Sequence, residues 1–439
     1  MRKIGLDLSE RAAAASGRIG SRRDFLKRAT SVCAAYAGLA PLEPGGKAKP
    51  PQRKREMIHW QTHNVAEIPD GYQVAVADVN GDGRLDILAL SSAESIVEWY
   101  ENFSWKAWPV TTTTHHNISL APLFRSGYPE RGLALASDFA LDDSTSGGSV
   151  WWGEPGASLD SEWSLRLLGR IPTSHRLRWV NLDGSGRLGL VDVPLLGHGA
   201  KEPDYKVPAP LTWFEPPEPL LRGHVSATDT GKGEWFPHLI DESLTVVHGV
   251  NIMDWDNDGR DEMLTASFEG VHLFHSSGLG RDLQWTKTHL AAGDQVSTPR
   301  RGSSEIGVGR LEGSRFLATI EPWHGEHVVV YTRGKPGDLW SRHPIDDSFR
   351  DGHALVCADL DGDGNDEIVA GFRGPGTSLY VYYARDASGL KWERQTLDTE
   401  MAASGMAVAD INGDGHPDVA AIGASTGNVK WYENLGAGA

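Results

Sequence analysis

The sequence predicts an all-β fold, a seven-bladed β-propeller of four-stranded antiparallel blades whose ring is closed by the N-terminal strand. Three observations predict it. A unit of about 50–70 residues recurs along the chain. Most units carry, or keep a remnant of, an acidic loop of the form D-x-[DN]-x-[DN]-G. An aromatic strand and a strand opening near tryptophan then complete each unit. The 51 glycines, 24 prolines and 16 tryptophans agree with many turns and few helices.

The first strand with its loop reads as Val74–Asp86, Val250–Glu262, Leu355–Glu367 and Met406–Asp418, with a degenerate copy at Leu177–Gly189. Leu133–Asp143 and Ile306–Ser314 keep the strand and lack the loop, which makes seven. Second strands follow, as in Ile87–Leu90 and Ile368–Gly371. Third strands are aromatic, as in Trp99-Tyr100-Glu101, Trp213-Phe214-Glu215 and Trp431-Tyr432-Glu433. Fourth strands open with Trp105, Trp163, Trp235, Trp285, Trp340 and Trp392. Trp60 is an orphan first copy, so residues 57–68 are expected to complete the last blade and remove an exposed edge.

The formal net charge is −17, and the first 56 residues are basic, so the remainder is more acidic still. Such a surface argues against nucleic-acid binding, which needs Lys and Arg to displace counterions from phosphates. Ser21-Arg22-Arg23-Asp24-Phe25-Leu26-Lys27 matches the twin-arginine pattern, and a short Ala/Gly-rich stretch follows. Residues 1–40 therefore read as a twin-arginine signal peptide, 41–56 as a linker and 57–439 as the propeller. The twin-arginine export machinery is the expected partner, the location periplasmic or extracellular, and the mature protein has no membrane span. Loss of Cys33 with the leader leaves Cys357 and no internal disulfide.

Four loops place side-chain oxygens at i, i+2, i+4 and i+8: Asp78, Asn80, Asp82, Asp86; Asp254, Asp256, Asp258, Glu262; Asp359, Asp361, Asp363, Glu367; and Asp410, Asn412, Asp414, Asp418. Alternate hard oxygens in a tight turn suit Ca²⁺, with Mg²⁺ as an alternative, in a structural role. The strand–loop–strand context resembles the FG-GAP/VCBS class of repeats and excludes an EF-hand.

In such a meander the starts of the innermost strands share a face with the turns between second and third strands, while the acidic loops lie opposite. Counting six residues back from the first loop position gives His175, His248 and His353, with Tyr72, Gly132, Ser303 and Ser404 in the other blades. Three imidazoles converging on one axis with an open position suit a catalytic Zn²⁺. The alternative is that each histidine caps its strand in a polar channel. Turns on the same face add His198, Glu269, Trp323, His324 and Arg373, and Arg301 enters from blade five. The connection Thr111–Arg131, with His115, His116, Tyr128 and Arg131, reads as a lid. Aromatic, acidic and basic groups around one cleft suit a sugar or glycan ligand.

The runs Gly302-Ser303-Ser304-Glu305-Ile306 and Phe316–Gly325 (FLATIEPWHG), with His248-Gly249, resemble the propeller domain of aldos-2-ulose dehydratases. That resemblance implies action on glucosone or 1,5-anhydrofructose and a zinc at the bottom of the propeller cleft. It also implies cupin and lectin-like domains that this sequence does not contain. The expected function is a secreted carbohydrate-active lyase or dehydratase performing zinc-assisted β-elimination on a keto-sugar. His324 is the first candidate base and Glu305 the second, with Arg373 and Arg301 as substrate anchors. A metal-independent polysaccharide lyase and a non-catalytic glycan- or protein-binding propeller are the alternatives.

Overall fold

The computed structural model describes residues 56–124, 131–217, 234–278 and 282–438. Among them are seven four-stranded antiparallel sheets and no α-helix. Six blades are built from consecutive strands. The seventh joins Ala403–Ala409, Asp418–Gly423 and Asn428–Ala437 to an outermost strand, Ile58–Glu67, from the other end of the chain. The innermost strands are Gly71–Ala77, Ser119–Phe124, Ser174–Val180, Gly249–Met253, Ile306–Leu311, Gly352–Ala358 and Ala403–Ala409. Each packs beside the next, and the seventh meets the first. The twin-arginine motif, Cys33, the linker up to residue 55 and Tyr128 lie outside the described residues.

Second strands read as unbroken apolar runs because neighbouring blades cover both faces. Ile87, Leu88, Ala89 and Leu90 are all fully buried. The core lies between blades: Ile58, Val369, Val381, Val419 and Tyr432, from blades six and seven, form one cluster. Outermost strands such as Gln284–Ala291 face solvent along most of their length.

Polar side chains join the blades. Asn102 of blade one donates to Leu85 O at 2.9 Å and, across the interface, to Ile411 O of blade seven at 2.8 Å. Asn434 of blade seven repeats this towards Pro417 O and Leu360 O of blade six, at 2.9 and 2.7 Å. Three blades also share a clasp in which a ring on the fourth strand stacks on the third-strand Trp and meets the Glu two residues on. Trp108 does this on Trp99 and Glu101, His238 on Trp213 and Glu215, and His63 on Trp431 and Glu433.

Blade two departs from the sequence reading. Its innermost strand is Ser119–Phe124, and Leu133 belongs to the second strand, Arg131–Ser137. Gly132 therefore has no place on the axis, and the described part of Thr111–Arg131 supplies the innermost strand Ser119–Phe124 where a lid was expected. Pro122 disguises the strand, but an innermost strand has one edge free of pairing and tolerates proline.

Four of the residues singled out by register occupy a recurring irregularity. Tyr72, His175, His353 and Ser404 each fall where the pairing of the innermost strand with the second shifts by one residue. A bulge adds one unpaired residue and turns its side chain out of the alternation, here towards the axis.

Candidate metal centre

His248, His353 and His324 bring ring nitrogens together within 4.8 Å of one another. His248 stands immediately before the innermost strand of blade four, and His353 on the bulge of blade six. His324 arrives from the turn between the second and third strands of blade five. His248 Nε2 and His324 Nε2 are 2.9 Å apart. The ring centroids are 4.7 Å apart for His248–His324, 4.9 Å for His248–His353 and 5.0 Å for His324–His353. His175, expected as the third ligand, is beside this group and outside it: its ring centroid is 4.7 Å from that of His248. Its Nε2 is occupied by Tyr72 OH at 2.7 Å and by Arg176 at 3.1 Å.

The outer nitrogens fix the tautomers. His248 Nδ1 donates to Ser304 O at 3.0 Å, and His353 Nδ1 to Ser404 O at 2.6 Å. Each Nε2 lone pair therefore faces the axis. His324 Nδ1 has an acceptor, Asp351 Oδ1 at 3.5 Å, and a donor, Arg373 at 3.4 Å, so either tautomer is served. Burial comes first in holding His175, His248, His324 and His353 below the usual imidazole range. Arg176 beside His175 and Arg373 beside His353 add to it. Neutral imidazoles with inward lone pairs fit a borderline-soft divalent ion such as zinc.

Arg176 was not legible as a site residue. It is 6 % exposed, and its guanidinium donates to Glu305 Oε1 at 3.0 Å, joining blades three and five across the axis. Burial pushes the Glu305 carboxyl up, but Arg176 and His248 overcome that and hold it below its usual range. Tyr72 OH lies 3.1 Å from His353 Nε2 and 3.4 Å from Arg176.

Residues 147–334, which hold three of these histidines, match the family model of the aldos-2-ulose dehydratase β-propeller domain. Residues 359–421 match an FG-GAP-like repeat and residues 71–95 an FG-GAP repeat. Over these segments the chain is similar to FG-GAP repeats and to the aldos-2-ulose dehydratase propeller domain. Aldos-2-ulose dehydratase of Phanerodontia chrysosporium is 24% identical over 382 residues, which is 80% of this chain and 40% of that protein. The chain thus spans two-fifths of that relative's length. A solved structure, the Dos1 propeller, is similar with a TM-score of 0.45 and 11% identity over 82% of this chain and 78% of that one.

Around the histidine centre, Trp323 is buried against Phe268, Tyr205 and His324. Arg373 pairs with Asp351. Arg301 lies over the Phe268 ring, with Glu269 at 3.7 Å, while Glu269 itself accepts from Thr245 N and Oγ1. His198 is exposed on the corresponding turn of blade three, and His115 and His116 are exposed before the innermost strand of blade two. Arg131 is on the opposite face. Its guanidinium donates to Val79 O at 2.8 Å, beside an acidic loop, so it is no substrate contact for this cleft.

The four acidic loops fall into two kinds. In blades one and seven the last aspartate is closed by amides: Asp86 accepts from Val79 N and Asn102 N, and Asp418 from Ile411 N and Asn434 N. Carboxylates instead converge in the loops that end in glutamate, where Asp256 groups with Asp254 and Asp258 and also with Glu262 and His275, and where Asp359, Asp361 and Glu367 meet. Glu367 Oε1 and Asp359 Oδ1 are buried without a hydrogen-bond partner. Burial, then the neighbouring aspartates, raise the Glu367 carboxyl to about 9.

Proposed function

We propose that this propeller is a carbon–oxygen lyase for keto-sugars, a dehydratase-type enzyme acting on 1,5-anhydrofructose or a related ketoglycoside with zinc held by His248, His324 and His353. The observation that carries this reading is the pair of Nε2 atoms 2.9 Å apart, with the Nδ1 of His248 bonded to a carbonyl. Two neutral rings so close must share a proton or an ion, and three such nitrogens at one point suit an ion. When bound, zinc would supply Lewis-acid polarisation of a substrate carbonyl.

The chain's own groups do the rest. Ser304 O and Ser404 O set the rings, and Asp351 steadies His324 from behind. Trp323 closes the side of the cleft that a sugar face would meet, with Arg301 and Arg373 as anchors for its hydroxyls. Neither earlier candidate base is free: His324 is in the ligand set and Glu305 neutralises Arg176. Tyr72 OH, bonded to His175 Nε2, is the group left to move the proton α to the carbonyl. The same proposal includes Ca²⁺ in the glutamate-ended loops and twin-arginine export to the periplasm or exterior.

Incubation with 1,5-anhydrofructose, followed by the ultraviolet absorbance of a conjugated enone, tests the activity. Product that needs zinc supports it; no product from zinc-loaded protein on any keto-sugar rejects it. A second reading is favoured by Tyr72, His175 and Arg176 lying in mutual contact. These are the groups a metal-independent polysaccharide lyase would use. Cleavage of an acidic glycan in excess chelator would select that reading.

A further inference from the structure

We propose that Glu321 is a positioning residue for the histidine centre, its buried carboxylate locking the turn that carries His324 to the segment that orients His248. The inference rests on the zinc reading above and extends it to a residue that touches neither ion nor substrate.

Glu321 is fully buried at the end of the second strand of blade five, Ser314–Glu321. Its Oε1 accepts from Ser303 Oγ at 2.9 Å, Thr319 Oγ1 at 2.8 Å and Tyr331 OH at 2.6 Å, and its Oε2 from Arg342 Nε at 2.6 Å. Ser303 leads into the innermost strand, Thr319 is on the second, Tyr331 on the third and Arg342 on the outermost. One carboxylate therefore ties down every layer of the blade. Charge-assisted bonds of this kind are short and strong, and the three hydroxyl donors, all buried, are not easily satisfied if the acceptor leaves.

Both ends of the histidine pair hang from this point. Three residues after Glu321, His324 stands at φ 51°, a left-handed conformation costly for a non-glycine residue and kept only when its surroundings impose it. The turn is held by Trp323 N on Arg301 O, by His327 Nδ1 on Glu321 O and by Gly352 N on Gly325 O. On the other side, Ser303 precedes Ser304, whose amide bonds Ile320 O and whose carbonyl orients His248.

The repeat supplies an internal comparison. In blade six Tyr382 and Arg394 converge on Asp346, and in blade seven Tyr432 and Lys430 converge on Asp398. Both aspartates end the outermost strand of the preceding blade. In blade five the tyrosine and arginine are kept, but the acid comes from the blade's own second strand, at the foot of the His324 turn. That departure links the clasp to the centre.

The test compares Glu321→Gln with Asp346→Asn, which breaks the equivalent clasp in the neighbouring blade. Zinc affinity is measured by chelator competition, and hydrogen exchange of the Trp323–Glu326 amides is measured in the zinc-free protein. Glu321→Gln should weaken zinc binding about 10–100-fold and speed that exchange, while Asp346→Asn leaves both near wild type. Arg342→Gln opens the same clasp from its solvent side and should act in the same direction by less, which keeps the test intact if Glu321→Gln fails to fold. Unchanged affinity and exchange in the Glu321 variant, or equal losses in the Asp346 variant, would overturn the proposal. A wild-type protein that takes no zinc would sink the reading beneath it; the exchange data alone then decide whether Glu321 clamps the turn.

Discussion

Glu367 reaches one methylene further than Asp86 or Asp418, and that length divides the acidic loops. The aspartates end between two backbone amides, whereas Glu367 keeps one oxygen free and buried among other carboxylates. Calcium should therefore raise the thermal midpoint, and Glu367→Gln should remove the share of that rise that belongs to the blade-six loop, leaving the share of the Glu262 loop. Asp86→Asn should lower the midpoint equally with and without calcium; calorimetry in calcium and in chelator separates the cases. Asp192 makes a different demand. It is fully buried on the second strand of blade three with only Ser174 on one oxygen, and burial raises it to about 8. Its folded pKa lies above the unfolded one, so the cost is absent below about pH 4 and grows as pH rises towards 8. Asp192→Asn should thus stabilise the protein by up to about 4 kcal/mol at pH 7 and by almost nothing at pH 4. Denaturant titrations at the two pH values check the sign. Arg176 and Glu305 show what a single sequence conceals at this scale: they pair across 129 positions, and nothing local to either residue marks the partner.

At the scale of elements, the acidic loops were the ruler. They mark the hairpin between innermost and second strand, so blades with a loop were legible and His248 and His353 could be counted out. Blade two has no loop and a proline in its innermost strand, and there the count landed on the wrong strand. The turn after Glu321 is outside any strand register, so His324 was visible as a polar residue near the axis but not as a partner of His248. Asparagine carries the contact between blades. Asn434→Ala would leave Leu360 O and Pro417 O without their donor and should cost about 2–3 kcal/mol, read from the denaturation midpoint. The effect should be independent of zinc, because these contacts are on the face away from the histidines.

For the whole molecule, closure depends on the pairing of Ile58–Glu67 with Asn428–Ala437. Removing residues 57–68 would expose the edge of the seventh blade and uncover Val429 and Tyr432. Loss of the single unfolding transition and concentration-dependent association should follow, measured by calorimetry and light scattering. The closed ring also brings His248, His324 and His353 from three separate blades to one axis, and the account stands on what they hold. Zinc content by elemental analysis of the purified protein, with each histidine changed to alanine in turn, tests this most directly. The account predicts about one zinc per chain, lost in His248→Ala, His324→Ala and His353→Ala and retained in His175→Ala. A zinc content unchanged by removing all three would contradict it.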